Sequence, residues 1–341
     1  MTANKSSLDR IFVGFLLLFL FSWGVHGQAL VSHIESVGFT VSDMDRAVDF
    51  YTRILPFKKN SDTEVWGAEV ETLSGVFGAR VRVVRLQLGD EVLELTEYLT
   101  PPGRPIPVTS RNNDRWFQHL AIVVSDLDRA YQILRRHKVR YSSTAPQTLP
   151  AYLKQAAGIK AFYFKDFDNH ILELIEFPPG KGSPKWRESA KNKVFLGIDH
   201  TAIVVEDTKI SLDFYRDTLQ MKISGESENY GTEQEHLNNV RGARLRITSL
   251  QTPQAGIGIE LLQYLSPTDG KPFPKDTQAN DIWHWQTSFA SAGINASRAV
   301  LERQKTDFIS NGIVLFETKP PAFKKGLLVR DPDGHAVRII E

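Results

Sequence analysis

The chain has 341 residues, of which 41% are apolar and 24% charged, a formal net charge of +1 and no cysteine. That composition suits a soluble globular protein long enough for two domain-sized cores. A charge so near zero, with Lys and Arg scattered along the chain, removes the field that nucleic acid requires. The missing cysteine excludes disulfides, thiolate metal ligands and a cysteine nucleophile.

The N-terminus carries Lys5 and Arg10, then runs without a charge from Ile11 to Val25, then offers the small residues Gly27 and Ala29. A basic start, a short apolar run and a small-residue exit are the pattern of a secretory signal peptide. The run is short of the roughly 20 apolar residues that span a bilayer. Residues 1–29 are therefore expected to be a signal peptide and the mature protein secreted or periplasmic. The alternative is a protein anchored in the membrane by an uncleaved segment.

From residue 37 the chain reads "VGFTV", a strand rich in β-branched and aromatic residues, followed by "SDMDRAVDFYTRIL". Asp43 is placed to cap a helix, and Met44, Ala47, Val48, Tyr51, Ile54 and Leu55 form its apolar stripe. The alternating segments "ARVRVVRLQL" from Ala79 and "EVLELTEYL" from Glu91 predict strands with one buried and one exposed face. The capped helix returns as "VSDLDRAYQIL" from Val124 and "VEDTKISLDFYRDTL" from Val205. The fourth helix, "INASRAVLERQ", carries a weaker stripe.

Longer matches reveal a second level of repetition. "GAEVETLSGVFGARVRV" from Gly67 returns as "GTEQEHLNNVRGARLRI" from Gly231, "NDRWFQHLA" from Asn113 as "NDIWHWQTS" from Asn280, and "KDFDNH" from Lys165 as "RDPDGH" from Arg330. The chain is a tandem duplication of two strand–helix–strand–strand–strand modules per half. The expected division is a first domain over 31–178, a linker over 179–195 that is rich in Pro, Gly, Ser and Lys, and a second domain over 196–341.

The stretch "HTAIVVEDTKISLDFYRDTL" from His200 and the "DPDGH" turn before the last strand resemble the vicinal oxygen chelate superfamily, which includes glyoxalase I, bleomycin resistance proteins and extradiol dioxygenases. The resemblance implies an α+β fold: four βαβββ modules paired into two curved-sheet domains. It further implies ligands from the first and last strands of each module. In the N-terminal half these positions are Ser36, Glu94, His119 and Glu173; in the C-terminal half they are His200, Glu260, Gln286 and Arg338, with His284 two residues before Gln286. One divalent cation of unspecified identity is expected on Glu94, His119 and Glu173, with Glu94 or Glu173 also moving a proton. A second, weaker set is expected from His200, Glu260 and Gln286. Arg338, with His284, would then bind an anionic group of the substrate.

Two functions follow from the resemblance. One is a metal-dependent lyase or isomerase of the glyoxalase type acting on a small oxygen-chelating substrate. The other is a metal-free small-molecule binder like the bleomycin resistance proteins. A dioxygenase ranks below both, because neither half supplies two histidines and a carboxylate: Gln286 and Arg338 stand where such ligands would be required. The expected partner is a small molecule rather than nucleic acid, and a homo-oligomer is compatible with the sequence. "DPDGH" is read as a turn rather than a calcium loop, and "SENYGTEQEHLNN" from Ser227 either lines a substrate or forms a polar loop.

Overall fold

The computed structural model describes residue 1 and residues 30–189, 192–317 and 322–341. The expected signal peptide therefore lies outside the described residues. Among the described residues no helix is long and apolar enough to cross a membrane.

Each module begins as the sequence predicts. The first strand, His33–Val41, leads into the helix Met44–Arg53, whose cap Asp43 accepts a hydrogen bond from the Arg46 N–H at 3.0 Å. Asp126 and Asp207 cap the next two module helices by accepting from the Arg129 and Lys209 N–H groups. The fourth helix, Ile294–Arg303, starts at Gly293 with no side-chain cap, which matches its weaker stripe; it still buries Ile294, Ser297 and Leu301. Three full strands complete the first and third modules: Lys58–Trp66, Arg80–Leu88 and Glu91–Thr100, and Lys222–Tyr230, Arg244–Gln251 and Gly258–Ser266. In the second and fourth modules the strand after the helix is reduced to two-residue pieces. Their long strands are Lys160–Lys165 with Ile171–Glu176, and Lys325–Arg330 with Ala336–Ile340.

The modules pair across the two halves of the chain, and this corrects one expectation. The first strand of module one lies antiparallel to Trp285–Ala290 of module four, with Val37 opposite Thr287. Phe195–Val205 of module three lies antiparallel to Gln118–Val124 of module two, with Ile198 opposite Ile122. One nine-stranded sheet therefore combines modules one and four, and the other combines modules two and three. Residues 31–178 and 196–341 are repeats in sequence, but neither forms a sheet of its own. The connections explain how. The segments between modules in each half clasp each other: Arg104 holds Asp281 by its backbone N–H and two guanidinium nitrogens, and Asp114 accepts from the Lys271 N–H. The linker is likewise more than a spacer. It contains the helix Pro184–Ser189, whose Lys185 pairs with Glu91 of module one and whose Trp186 donates to Asp199 of module three at 2.9 Å.

The "KDFDNH" and "RDPDGH" turns tie the two sheets together. Asp166 Oδ1 accepts from the Asp168 and His170 N–H groups, while Oδ2 meets the His170 ring and the hydroxyl of Tyr51. The far nitrogen of His170 reaches the Ile282 carbonyl at 2.7 Å. Asp331, Tyr215, His335 and the Val204 carbonyl repeat the arrangement. Every one of these buried polar atoms has a partner, so the turns cost little to bury. This agrees with reading them as turns.

Period-two alternation puts a different face of each strand to work. Leu120, Ile122, Leu172, Leu174, Ile259 and Leu261 enter the core shared by all four modules. Their neighbours His119, Glu173 and Glu260 point the other way, into the concave face of the second sheet.

Candidate functional site

The two concave faces form two cups with opposite chemistry. Strand register makes the comparison residue by residue. Gly38 pairs with Glu94 as Ala202 pairs with Glu260, and Ser288 pairs with Arg338 as Ala121 pairs with Glu173. Ser36, Glu94, Gln286 and Arg338 of the first sheet thus occupy the positions held in the second by His200, Glu260, His119 and Glu173.

The second cup gathers four donors on its floor. His119 Nε2 lies 3.1 Å and His200 Nε2 3.6 Å from the same oxygen, Glu173 Oε2. Glu260 Oε2 is 3.4 Å from His200 Nε2. Ligand atoms of His119, Glu173 and His200 all lie within 4.8 Å of one another. Both ring nitrogens of His119 and Nε2 of His200 are buried yet make no hydrogen bond. Nε2 of His119 and of His200 converge on Glu173 Oε2 without a formed hydrogen bond, and a cation between them would satisfy all three. Burial opposes the charge of Glu173, but His119 and His200 prevail and hold its carboxyl down at about 2. Burial also opposes protonation of His200, yet Glu260, Asp199 and Glu173 hold its pKa well above the ordinary value. A cation binding here would displace that proton, since imidazole ligates as the neutral ring.

Three further groups support this floor. Asp199 meets His200 Nδ1 at 3.0 Å, orienting the ring so that Nε2 faces the cup. The Tyr163 ring packs on His119 with centroids 4.8 Å apart. Ser249 donates to Glu260 Oε1 at 2.7 Å. The cup encloses about 490 Å³, and its walls include Ser224, Ser227, Asn229, Gln234 and Gln251. Asn229 Oδ1 and Gln234 Oε1 are buried without partners. Both come from the segment "SENYGTEQEHLNN", which forms the end of a strand and a short helix rather than a loop.

Among the described residues the first cup has no such set. Arg338 Nη2 donates to Glu94 Oε1 at 2.7 Å, and Nε donates to Ser288 at 2.9 Å. A guanidinium thus sits beside the carboxylate whose counterpart lines the donor cluster of the other cup.

These placements regroup the expected site residues. Glu94 lies in the cup opposite His119 and Glu173, and Gln286 is separated from His200 and Glu260, because the modules pair across the halves. Arg338 is engaged by Glu94 instead of being free for an anion. The argument against two histidines and a carboxylate in one site also falls, since Gln286 and Arg338 belong to the other cup. Asp199 and Ser249 were missed by sequence reasoning. Asp199 had one weak signal, as a carboxylate directly before a candidate histidine; Ser249 had none, because its partner lies on a neighbouring strand.

The model of the Glyoxalase/Bleomycin resistance protein/Dioxygenase superfamily matches residues 31–174 and again 197–339. The chain belongs to this superfamily. Among curated proteins, a 2-epi-5-epi-valiolone epimerase from Actinomyces sp is 32% identical over 168 residues, covering 46% of this chain and 84% of that protein. Among solved structures, glyoxalase I from Zea mays matches with a TM-score of 0.60 at 17% identity, covering 91% of this chain and 92% of its own. A putative dioxygenase from Bacillus subtilis matches with a TM-score of 0.55 at 13% identity, covering 92% and 86%. At these identities the structural matches speak for the superfamily fold alone.

Proposed function

We propose that the second cup is a metal-dependent active site for proton transfer at carbon, in an isomerase, epimerase or lyase reaction on a small substrate with neighbouring oxygens. The observation that carries this reading is the convergence of His119, Glu173 and His200 with buried nitrogens that have no hydrogen-bond partner. These three residues would hold a divalent cation through nitrogen and oxygen donors. Once bound, such an ion supplies Lewis-acid stabilisation of negative charge on a substrate oxygen.

Glu260 is the best-placed proton carrier. Its side chain is 23% exposed, against 7% for Glu173 and 2% for His119, so it faces the open cup. Ser249 fixes one of its oxygens and leaves the other directed at the floor. A carboxylate so held can take a proton from a carbon next to a carbonyl and return it to that carbon or its neighbour on the same face, while inversion needs a second proton donor on the opposite face. The hydroxyl and amide walls suit a substrate bearing several hydroxyl groups, and the epimerase relative supports a reaction of this type.

The test is exchange of carbon-bound hydrogen for deuterium in a panel of polyhydroxylated ketones, followed by NMR. Exchange should require a divalent metal and fall at least 100-fold in Glu260→Gln while metal content is unchanged. Full exchange in that variant would remove Glu260 from the role. The two-histidine, one-carboxylate set also supports a second reading, an iron-dependent dioxygenase. Oxygen consumption with catechols by the iron-loaded protein would favour it.

A further inference from the structure

The first cup is the narrower counterpart of the second, and its lining points to a separate ligand. Its walls are apolar, with Val65, Val70, Leu73, Val83, Phe316 and Phe323 around a space of about 60 Å³. At about 10–15 Å³ per water, that is room for about four to six waters, or for one compact molecule of about four non-hydrogen atoms. The floor is polar. Glu94 Oε2 and His284 Nε2 both belong to residues lining the space, both residues are at least nine-tenths buried, and neither atom makes a hydrogen bond. Unpartnered buried polar atoms against a cavity indicate that something polar meets them.

Charge decides what that can be. The carboxylate of Glu94 is neutralised by Arg338 at 2.7 Å, and Arg85 stands 3.6 Å from its other oxygen while also pairing with Glu35. The Arg338 guanidinium is further spent on Ser288 and on the Phe323 ring, 4.8 Å away. An anion would face Glu94, and an ammonium would face Arg338 and Arg85. A hydroxyl can donate to Glu94 Oε2 and meet His284 Nε2 without adding charge to a buried site.

We propose that the first cup is a second, metal-independent binding site, selective for a compact neutral alcohol whose hydrocarbon body fills the apolar walls and whose hydroxyl meets Glu94 and His284. This site is independent of the metal floor in the second cup.

2-Propanol is a suitable probe, with four non-hydrogen atoms and one hydroxyl. Ligand-observed NMR on the full chain in excess EDTA should give saturable binding with a Kd on the order of 1 mM, the range open to so small a ligand. Acetate and isopropylammonium, of the same size, should bind at least tenfold more weakly. Val83→Phe and Val65→Phe fill the cup from different strands; whichever retains the parent's near-ultraviolet circular dichroism should lose the saturable signal. His119→Ala should leave it unchanged. The proposal is overturned if 2-propanol shows no saturable binding, if either charged analogue binds as tightly, or if binding survives in a folded cup-filling variant. None of these outcomes bears on metal in the second cup.

Discussion

Replacing Arg338 and Glu94 one at a time and together tests how the first cup dispenses with a cation. Both residues are at least 95% buried, so the pair sits in a low-dielectric interior. Removing one partner of a buried ion pair strands the other charge and costs roughly 3–5 kcal/mol. The two losses should differ. In Arg338→Met, Glu94 retains Arg85 at 3.6 Å, placing the cost near the lower bound, ~3 kcal/mol. In Glu94→Met, Arg338 retains only the neutral Ser288 as a hydrogen-bond partner, placing the cost near ~5 kcal/mol. Methionine approximates the volume of either side chain, so the double variant should lie within about 1 kcal/mol of the parent or above it. Urea unfolding at pH 7 gives all four stabilities. A double variant as unstable as the two single losses added together would refute the ion-pair account. So would a Glu94→Met loss smaller than that of Arg338→Met.

Other consequences follow from single groups. Burial and the nearby Arg330 push His284 down to about 3. The unfolded chain takes up this proton near pH 6.5 and the folded chain does not, so the contribution is present above about pH 6.5 and lost as pH falls toward 3. Relative to His284→Gln, the parent should lose about 3 kcal/mol between pH 7 and pH 4; a difference that does not change with pH would contradict this. The Tyr51 hydroxyl donates to the buried carboxylate of Asp166 at 3.2 Å, and Tyr215 does the same to Asp331 at 3.0 Å. Tyr51→Phe and Tyr215→Phe should each cost roughly 1.5–3 kcal/mol in thermal or urea unfolding, the usual worth of a hydrogen bond to a charged group. Losses below about 0.5 kcal/mol would show that the turns do not hold the sheets together.

Local patterns made much of the fold legible. The Asp43, Asp126 and Asp207 caps, the apolar stripes behind them and the alternating strands all carry period and end signals within a few residues. Repeated "KDFDNH" and "RDPDGH" turns marked the module ends. Module pairing was not legible, because His33–Val41 presents similar β-branched edges to either possible neighbour. The choice depends on distant contacts such as Arg104 with Asp281. That one ambiguity misplaced the site. His119, Glu173, His200 and Glu260 were each visible as strand-borne ligands, but their grouping required knowing that module two meets module three. Asn229 and Gln234 lie in a polar segment whose sequence fits a substrate wall and a loop equally well, and Ser249 left no periodic trace, because it reaches Glu260 only across the strand pair.

If the proposed function holds, one metal ion sits on a floor built from modules two and three. Metal analysis of chain purified without chelator, in parallel with His119→Ala, His200→Ala and Glu94→Gln, tests it most directly. About one divalent ion per chain is expected in the parent and in Glu94→Gln, with most of it lost in both histidine variants. Retention of the ion in both histidine variants, or its loss in Glu94→Gln alone, would contradict it.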